Sequence, residues 1–192
     1  MLTRVTPTTY SMAISVDDAK AHSRIDATAE DSLLEDYIKA ATRYAETYTG
    51  LTLLDTDWTY TSSGFPGSRL LELPTGPIIE VDSITYLDTA GSSQTFSSDN
   101  YSLVKTQLGG YVQLEQDSEW PETYGDVDDV TVTFAAGFGD EAADIPPDIR
   151  LGVRQLVAHW YEIREPVIVG VSIAPVSMSA ERLLYPYRRL KV

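Results

Sequence analysis

The 192-residue chain has no cysteine, only two histidines and four phenylalanines, and only 14 basic residues against 29 acidic ones. Without cysteine there is no disulfide scaffold, no thiol nucleophile and no thiolate metal site, and nothing in the composition points to secretion. The histidines, His22 and His159, fall in separate helical segments, which leaves little from which to build a metal centre or a general base. The shortage of Lys and Arg gives a formal charge of −15 and a pI near 4.3. Affinity for nucleic acid comes from cations that neutralise phosphates, so this balance argues against a free-standing DNA or RNA binder. It equally suits a wall that DNA slides past without sticking. Long apolar runs are absent too. The longest, Val167 to Val176, is broken by Gly170 and Pro175 and falls well short of the roughly 18 residues of a membrane span. The opening MLTRVTPTTYSMAIS lacks the apolar stretch of a signal peptide.

What is present reads as folded protein of the α+β class, 43% hydrophobic with 12 tyrosines. Ser15 with Asp18 three residues on is a helix-start signal, and a short helix to about His22 follows. Thr28 with Asp31 repeats the signal before Leu33, Leu34, Tyr37, Ile38, Ala41, Tyr44, Ala45 and Tyr48, which recur at helical spacing until Gly50. From Trp58 the period changes to two, in Trp58–Thr61, Ile79–Val81, Ile84–Leu87 and Val130–Phe134, with turns at Pro66-Gly67, Pro74–Pro77, Ala90–Ser92 and Gly109-Gly110. Helical spacing returns after Pro146-Pro147, on Ile149, Val153, Leu156, Val157, Trp160 and Ile163, and should end near Pro166. A last short helix spans Ser179 to Tyr185, stopped by Pro186. This order predicts a helical bundle made by residues 1–56 and 141–192, with a small antiparallel β domain inserted over 57–140.

Charge is polarised. No basic residue lies between Lys105 and Arg150, a stretch with 11 acids, whereas the last twelve residues carry Arg182, Arg188, Arg189 and Lys191 against Glu181 alone. Such a chain can bind head to tail, basic end to acidic body, which is one route to a ring. Motifs for catalysis are weak. Ser102-x-x-Lys105 matches a penicillin-recognising pattern but sits in a strand-like run rather than opening a helix. Asp126, Asp128 and Asp129 lack the Gly and the distal Glu of an EF-hand and read as a solvated acidic turn. Gly137-Phe-Gly139 lacks the Lys-Ser/Thr of a phosphate loop. A hydrolase or lyase built on Glu115, Asp117 and Glu119 would need one of these carboxyls raised in a closed pocket.

The motif order resembles the head-tail connector, or adaptor, family of long-tailed phages and gene transfer agents. The series begins with Ser-x-x-Asp-Ala-Lys-x-His-x-Arg-Ile-Asp (Ser15 to Asp26), Tyr-Thr-Gly (Tyr48 to Gly50) and Trp58. Leu-Pro-Thr-Gly-Pro-Ile (Leu73 to Ile78), Ser-Ile-Thr-Tyr-Leu-Asp (Ser83 to Asp88), Trp120-Pro121 and Ala-Gly-Phe-Gly-Asp (Ala136 to Asp140) continue it. Ile-Pro-Pro-Asp-Ile-Arg (Ile145 to Arg150), His-Trp-Tyr-Glu-Ile-Arg-Glu (His159 to Glu165) and Leu-Leu-Tyr-Pro-Tyr-Arg (Leu183 to Arg188) close it. The resemblance implies a non-enzymatic virion protein without cofactor or metal, assembled in the host cytoplasm into a dodecameric ring in the neck. That ring would sit beneath the portal protein, meet a tail-completion or stopper protein below, and pass DNA through its lumen without sequence-specific binding; no membrane is involved. It implies portal docking by Leu183, Leu184, Tyr185, Tyr187, Arg188 and Arg189. The apolar residues Val167, Ile168, Val169, Val171 and Ile173 form an assembly loop on this reading, and Glu115, Asp117, Glu119, Asp126 and Asp128 face the lumen or a neighbouring subunit. Another neck protein, such as a tail terminator, is the alternative; the helix-rich ends weigh against it.

Overall fold

A computed structural model of the chain describes residues 1–5, 12–163 and 177–189. Within them the chain forms two compact units, Met1–Pro7 with Asp55–Phe138, and Thr8–Leu54 with Gly139–Val192. The first is made of strands and the second of helices, so the class is α+β.

The strand unit contains β1 (Leu2–Arg4), β2 (Thr56–Ser62), β3 (Leu70–Glu72), β4 (Ile78–Leu87), β5 (Ser93–Thr95), β6 (Tyr101–Thr106), β7 (Gly109–Leu114) and β8 (Val130–Ala136). They form two antiparallel sheets, ordered β1-β2-β8-β4-β5 and β3-β7-β6. Strand β8 is the centre of the larger sheet. It pairs with β2 from Thr56↔Ala136 to Ser62↔Val130 and with β4 on its other edge. Its alternating Val130, Val132 and Phe134 are fully buried, as period-two patterning demands of a half-covered sheet. They join Leu71, Leu73, Ile84 and Val112 in one core. Aromatic rings close that core, with Phe65 stacked on Trp120 at 4.7 Å and Phe96 on Tyr101 at 5.9 Å. The indole N–H of Trp120 donates to the Ser68 carbonyl at 2.8 Å, which gives the ring's polar atom a partner.

The N-terminal residues, which the sequence pattern runs directly into helices, instead add an edge strand, with Leu2 opposite Tyr60 and Arg4 opposite Trp58. The Arg4 guanidinium lies 5.4 Å from the centre of the Trp58 ring. Three residues are too few to show alternation, so this strand left no periodic signal.

The helical unit contains α1 (Val16–Ser23), α2 (Asp31–Thr49), α3 (Pro147–Glu162) and α4 (Ser177–Leu184), followed by a single 3-10 turn over Tyr185–Tyr187. The capping box at α1 is formed as its residues predict. The Ser15 hydroxyl accepts from the Asp18 amide at 3.0 Å, and the Asp18 carboxylate accepts from the Ser15 amide at 3.3 Å. Burial alone would raise the Asp18 carboxyl, but the Ser15 hydroxyl, which donates to it at 3.0 Å, and the Ser15 amide, with Arg154 and Arg150 nearby, hold it below its usual value. The expected cap on α2 is not made. Asp31 is the first helical residue after Glu30, and its carboxylate takes Lys20 of α1 at 2.8 Å, so it ties two helices together. Gly50 ends α2 in the left-handed conformation at φ 73°.

Helix α3 begins at Pro147 and buries Ile149, Val153, Leu156 and Val157. It meets α1 through Arg154 and Asp18 at 3.4 Å, and α2 through Trp160 edge-on to Tyr44. Helix α4 buries Ala180 and Leu184 beside Gly152 of α3. The Ser179 hydroxyl bonds Gln155 at 3.1 Å, and the Tyr44 hydroxyl donates to Glu181 at 2.8 Å. Burial and this bond push the Tyr44 hydroxyl up to about 12.

Two outcomes are expected. A methyl group at Gly76 would meet the backbone of Gly109 and lie 2.8 Å from the Leu108 carbonyl oxygen, whereas one at Gly67 has nothing within 4 Å. Gly76→Ala should therefore cost about 3 kcal/mol in urea unfolding and Gly67→Ala about 0.5 kcal/mol or less. The raised Tyr44 favours its protonated form in the folded state. Its contribution is complete below the ordinary tyrosine value near ~10 and is lost as pH rises through the folded value. Tyr44→Phe should cost about 0.5–1 kcal/mol at pH ~8. That difference from the parent should shrink at pH ~11.5 in thermal unfolding, and an unchanged difference would contradict the assignment.

Candidate functional site

Two surfaces carry the residues that the sequence singles out. The first is the segment between β7 and β8. Glu115, Asp117, Glu119, Asp126 and Asp128 are all exposed there, as is Glu122. Asp129 is different. Read from sequence as part of a solvated turn, it is 1% exposed, and its carboxylate accepts the backbone amides of Gly125 and Asp126, the latter at 2.9 Å. A carboxylate removed from water needs such donors, and here they fix the shape of the turn before β8. The backbone adds two clamps to β4, Leu87 amide to Asp129 carbonyl at 2.9 Å and Tyr124 amide to Leu87 carbonyl at 3.1 Å. The loop so held presents two apolar side chains to solvent, Tyr124 at 59% and Val127 at 73% exposure. The sequence pattern gave no sign of either, because both sit singly among acids.

The second surface is the C-terminal segment. Of the six positions expected to dock, Leu184 is wholly buried against α3 and is a core residue. Tyr187 donates to Asp148 at 3.3 Å; burial and that carboxylate raise its phenol above the usual range. The Arg189 amide donates to the carbonyl of Thr49 at 2.7 Å, at the end of α2. Arg188 places its guanidinium 5.7 Å from the Tyr48 ring centre and is otherwise exposed, Leu183 is half-buried, and Tyr185 is 64% exposed. The segment is therefore not a free peptide, because its inward positions are structural. Opposite Ala180 and Leu184, at helical spacing, Met178 at 51% and Arg182 point outward in line with Tyr185. A wheel drawn on the expected helix, Ser179 to Tyr185, would have found Arg182; Met178 precedes it and joins only because the helix starts at Ser177.

Val167, Ile168, Val169, Val171 and Ile173 lie outside the described residues. Glu115 borders an open cavity of about 500 Å³ with Arg69, Ser102, Gln113, Leu114 and Gln116. Arg69 is occupied there by the backbone carbonyls of Leu114 and Glu115. Ser102 and Lys105 lie on strand β6, where positions three apart point to opposite faces, so the Ser-x-x-Lys pair is not assembled. Among the described residues, the carboxyl held above the ordinary range is Asp82 on β4, by partial burial and by Glu80 and Asp57, and it lies at the surface rather than in an enclosed pocket. His22 is exposed on α1 and His159 half-buried on α3, and among the described residues no group of three His, Asp or Glu is placed to hold a metal.

The whole chain shares its fold with chains from gene transfer agent particles. One is from the neck of an empty particle reconstructed with C6 symmetry, with TM-score 0.81 and 24% identity over 100% of this chain and 97% of that one. A chain of the native virion gives the same values, and one from the native neck reconstructed with C12 symmetry has TM-score 0.77 at the same identity and coverage. No curated protein matches. Residues 13–102 match the family described as phage gp6-like head-tail connector protein. The resemblance carried by the motif series is thereby borne out: residues 13–102 match the phage gp6-like head-tail connector family, and the whole chain has a fold shared with gene transfer agent neck chains.

Proposed function

We propose that this chain is a structural head-tail connector subunit of a virion neck, and that copies of it form a ring through which DNA leaves the head. The observation that carries this is the likeness of the entire chain to neck chains from particles reconstructed with C6 and C12 symmetry, together with the connector-family match. On this reading the protein is not an enzyme. Its helices from both ends of the chain assemble as the bundle, and the ring is dodecameric and lies between a portal protein and a tail-completion protein.

Electrostatics favour the same role. The strand unit carries 14 acidic and 3 basic residues, a net −11, against −4 on the helical unit. Phosphate passing such a surface finds few cations to neutralise it, so a conduit of this composition repels DNA rather than retaining it. Portal docking falls to the outward residues of the C-terminal segment, Tyr185 and Arg188, with Leu184, Tyr187 and Arg189 bracing it from within. Aromatic and Arg side chains are the usual anchors of such contacts.

Removing the whole segment would strip Ala180 and Leu184 from the core, so truncation is a poor test of docking. The paired change Tyr185→Ala and Arg188→Glu should leave the thermal unfolding midpoint nearly unchanged. It should reduce the yield of tailed particles by roughly tenfold or more, scored by electron microscopy after complementation. A normal yield from a normally folded variant would remove the docking role.

A further inference from the structure

The exposed apolar residues described above fall into two small patches of opposite charge. On the strand unit, Tyr124 and Val127 stand among Glu122, Asp126 and Asp128. On the helical unit, Met178 stands with Arg182 on the outer side of α4, apart from Tyr185, which the portal-docking reading takes up. Each patch thus joins exposed apolar surface to charge of one sign, and the signs are opposite. Tyr124, Val127 and Met178 are all exposed.

We propose that these patches are the two halves of one contact between copies of this chain, α4 of one subunit resting on the 122–128 loop of the next. The proposal rests on the ring reading and names the surfaces that would build the ring. A contact in which unlike patches of identical subunits meet is heterologous, and repetition of it generates rings or open filaments rather than closed dimers.

Three features support it. The loop is already shaped for binding: buried Asp129 holds the amides of Gly125 and Asp126, two backbone bonds tie it to β4, and the Tyr124 ring lies against Gly91 of the β4–β5 turn. That turn is itself braced, since the Asp88 carboxylate accepts from the amides of Ala90 and Ser92 and from Gln94, each at 2.9 Å. Ordering cost on association is correspondingly small. Helix α4 is equally fixed, by Ala180 and Leu184 in the core and by the Ser179 and Glu181 bonds. Residue chemistry is the second feature. Met178, Tyr124 and Arg182 are of types enriched at protein contacts, whereas Glu and Asp are depleted there, which places the loop's acids at the polar rim of the contact. The third is charge. Glu181, the acid on α4, is turned inward to Tyr44, which leaves Arg182 as the charge on the outer side of the helix, and the sequence from Lys105 to Arg150, which contains the loop, holds no basic residue between those two. Like patches therefore repel and unlike ones attract, which selects the head-to-tail arrangement over a two-fold one.

Because the chain has no cysteine, two single-cysteine variants report the contact without background. Full-length Val127→Cys and Met178→Cys proteins are mixed and treated with a short bismaleimide. The mixed product is compared with each homotypic product and with a Met178→Cys plus Ser32→Cys control. The mixed Val127–Met178 product should exceed both references by roughly fivefold, and Arg182→Glu on the Met178→Cys chain should lower it about two- to fivefold. Adding Glu122→Arg and Asp128→Arg to the Val127→Cys partner should restore the yield lost to Arg182→Glu. A mixed product no greater than the references overturns the contact, including the case in which α4 instead cross-links to a different neck protein. Electron microscopy of the unaltered chain separates the two readings. Closed rings without the mixed product leave the ring standing and refute this contact, whereas the mixed product in open chains supports the contact and refutes the ring.

Discussion

Burial of the Asp129 carboxylate is the constraint on which the strand unit's outer surface depends. A carboxylate at 1% exposure must recover lost hydration from nearby donors; the amides of Gly125 and Asp126 both donate to its Oδ2, while its Oδ1 is buried with no hydrogen-bond partner among the described residues. Those bonds close a tight turn at the entry to β8, where Gly125 takes the φ of 99° that the turn requires. The next residue, Val130, opens the central strand of the five-stranded sheet. One side chain therefore sets both the start of the core strand and the outward display of Tyr124, Val127 and their acidic neighbours. A loop with seven acids between Glu115 and Asp129 would otherwise spread under its own repulsion.

Helix starts and stops were legible because they depend on local chemistry. Ser15 with Asp18, Pro147 and Gly50 do what residues of those types do in any chain, and strand alternation in Trp58–Thr61 and Val130–Phe134 followed from one covered face. What could not be read depends on partners distant in sequence. β1 exists only because β2 offers an edge, Asp31 leaves its cap because Lys20 is within reach, and the strand segment divides into two sheets through pairings that no single stretch specifies. Asp129 is the sharpest case, because nothing in the run Asp126, Asp128, Asp129 distinguishes the one that turns inward.

The same holds for the tail. Its composition, Arg and Tyr around a proline, was legible as a contact surface, but which side of it faces outward was set by packing. Leu184 goes to the core, Tyr187 and Arg189 are taken up by Asp148 and the end of α2, and the free side passes to Met178, Arg182 and Tyr185. Interface composition and interface geometry are separate pieces of information, and the sequence carried only the first. The opening imbalance of 29 acids to 14 bases has likewise become spatial, most of it on the strand unit. An acidic body with a cationic helix suits the proposed ring subunit, which would hold its neighbours while holding no DNA.

Cryo-electron microscopy of tailed particles whose only copy of this protein carries an engineered tag tests the central claim most directly. The account predicts a tagged ring between head and tail whose subunit density fits the strand and helical units described above. Particles that are fully joined and DNA-filled with no tagged density in the neck would contradict it.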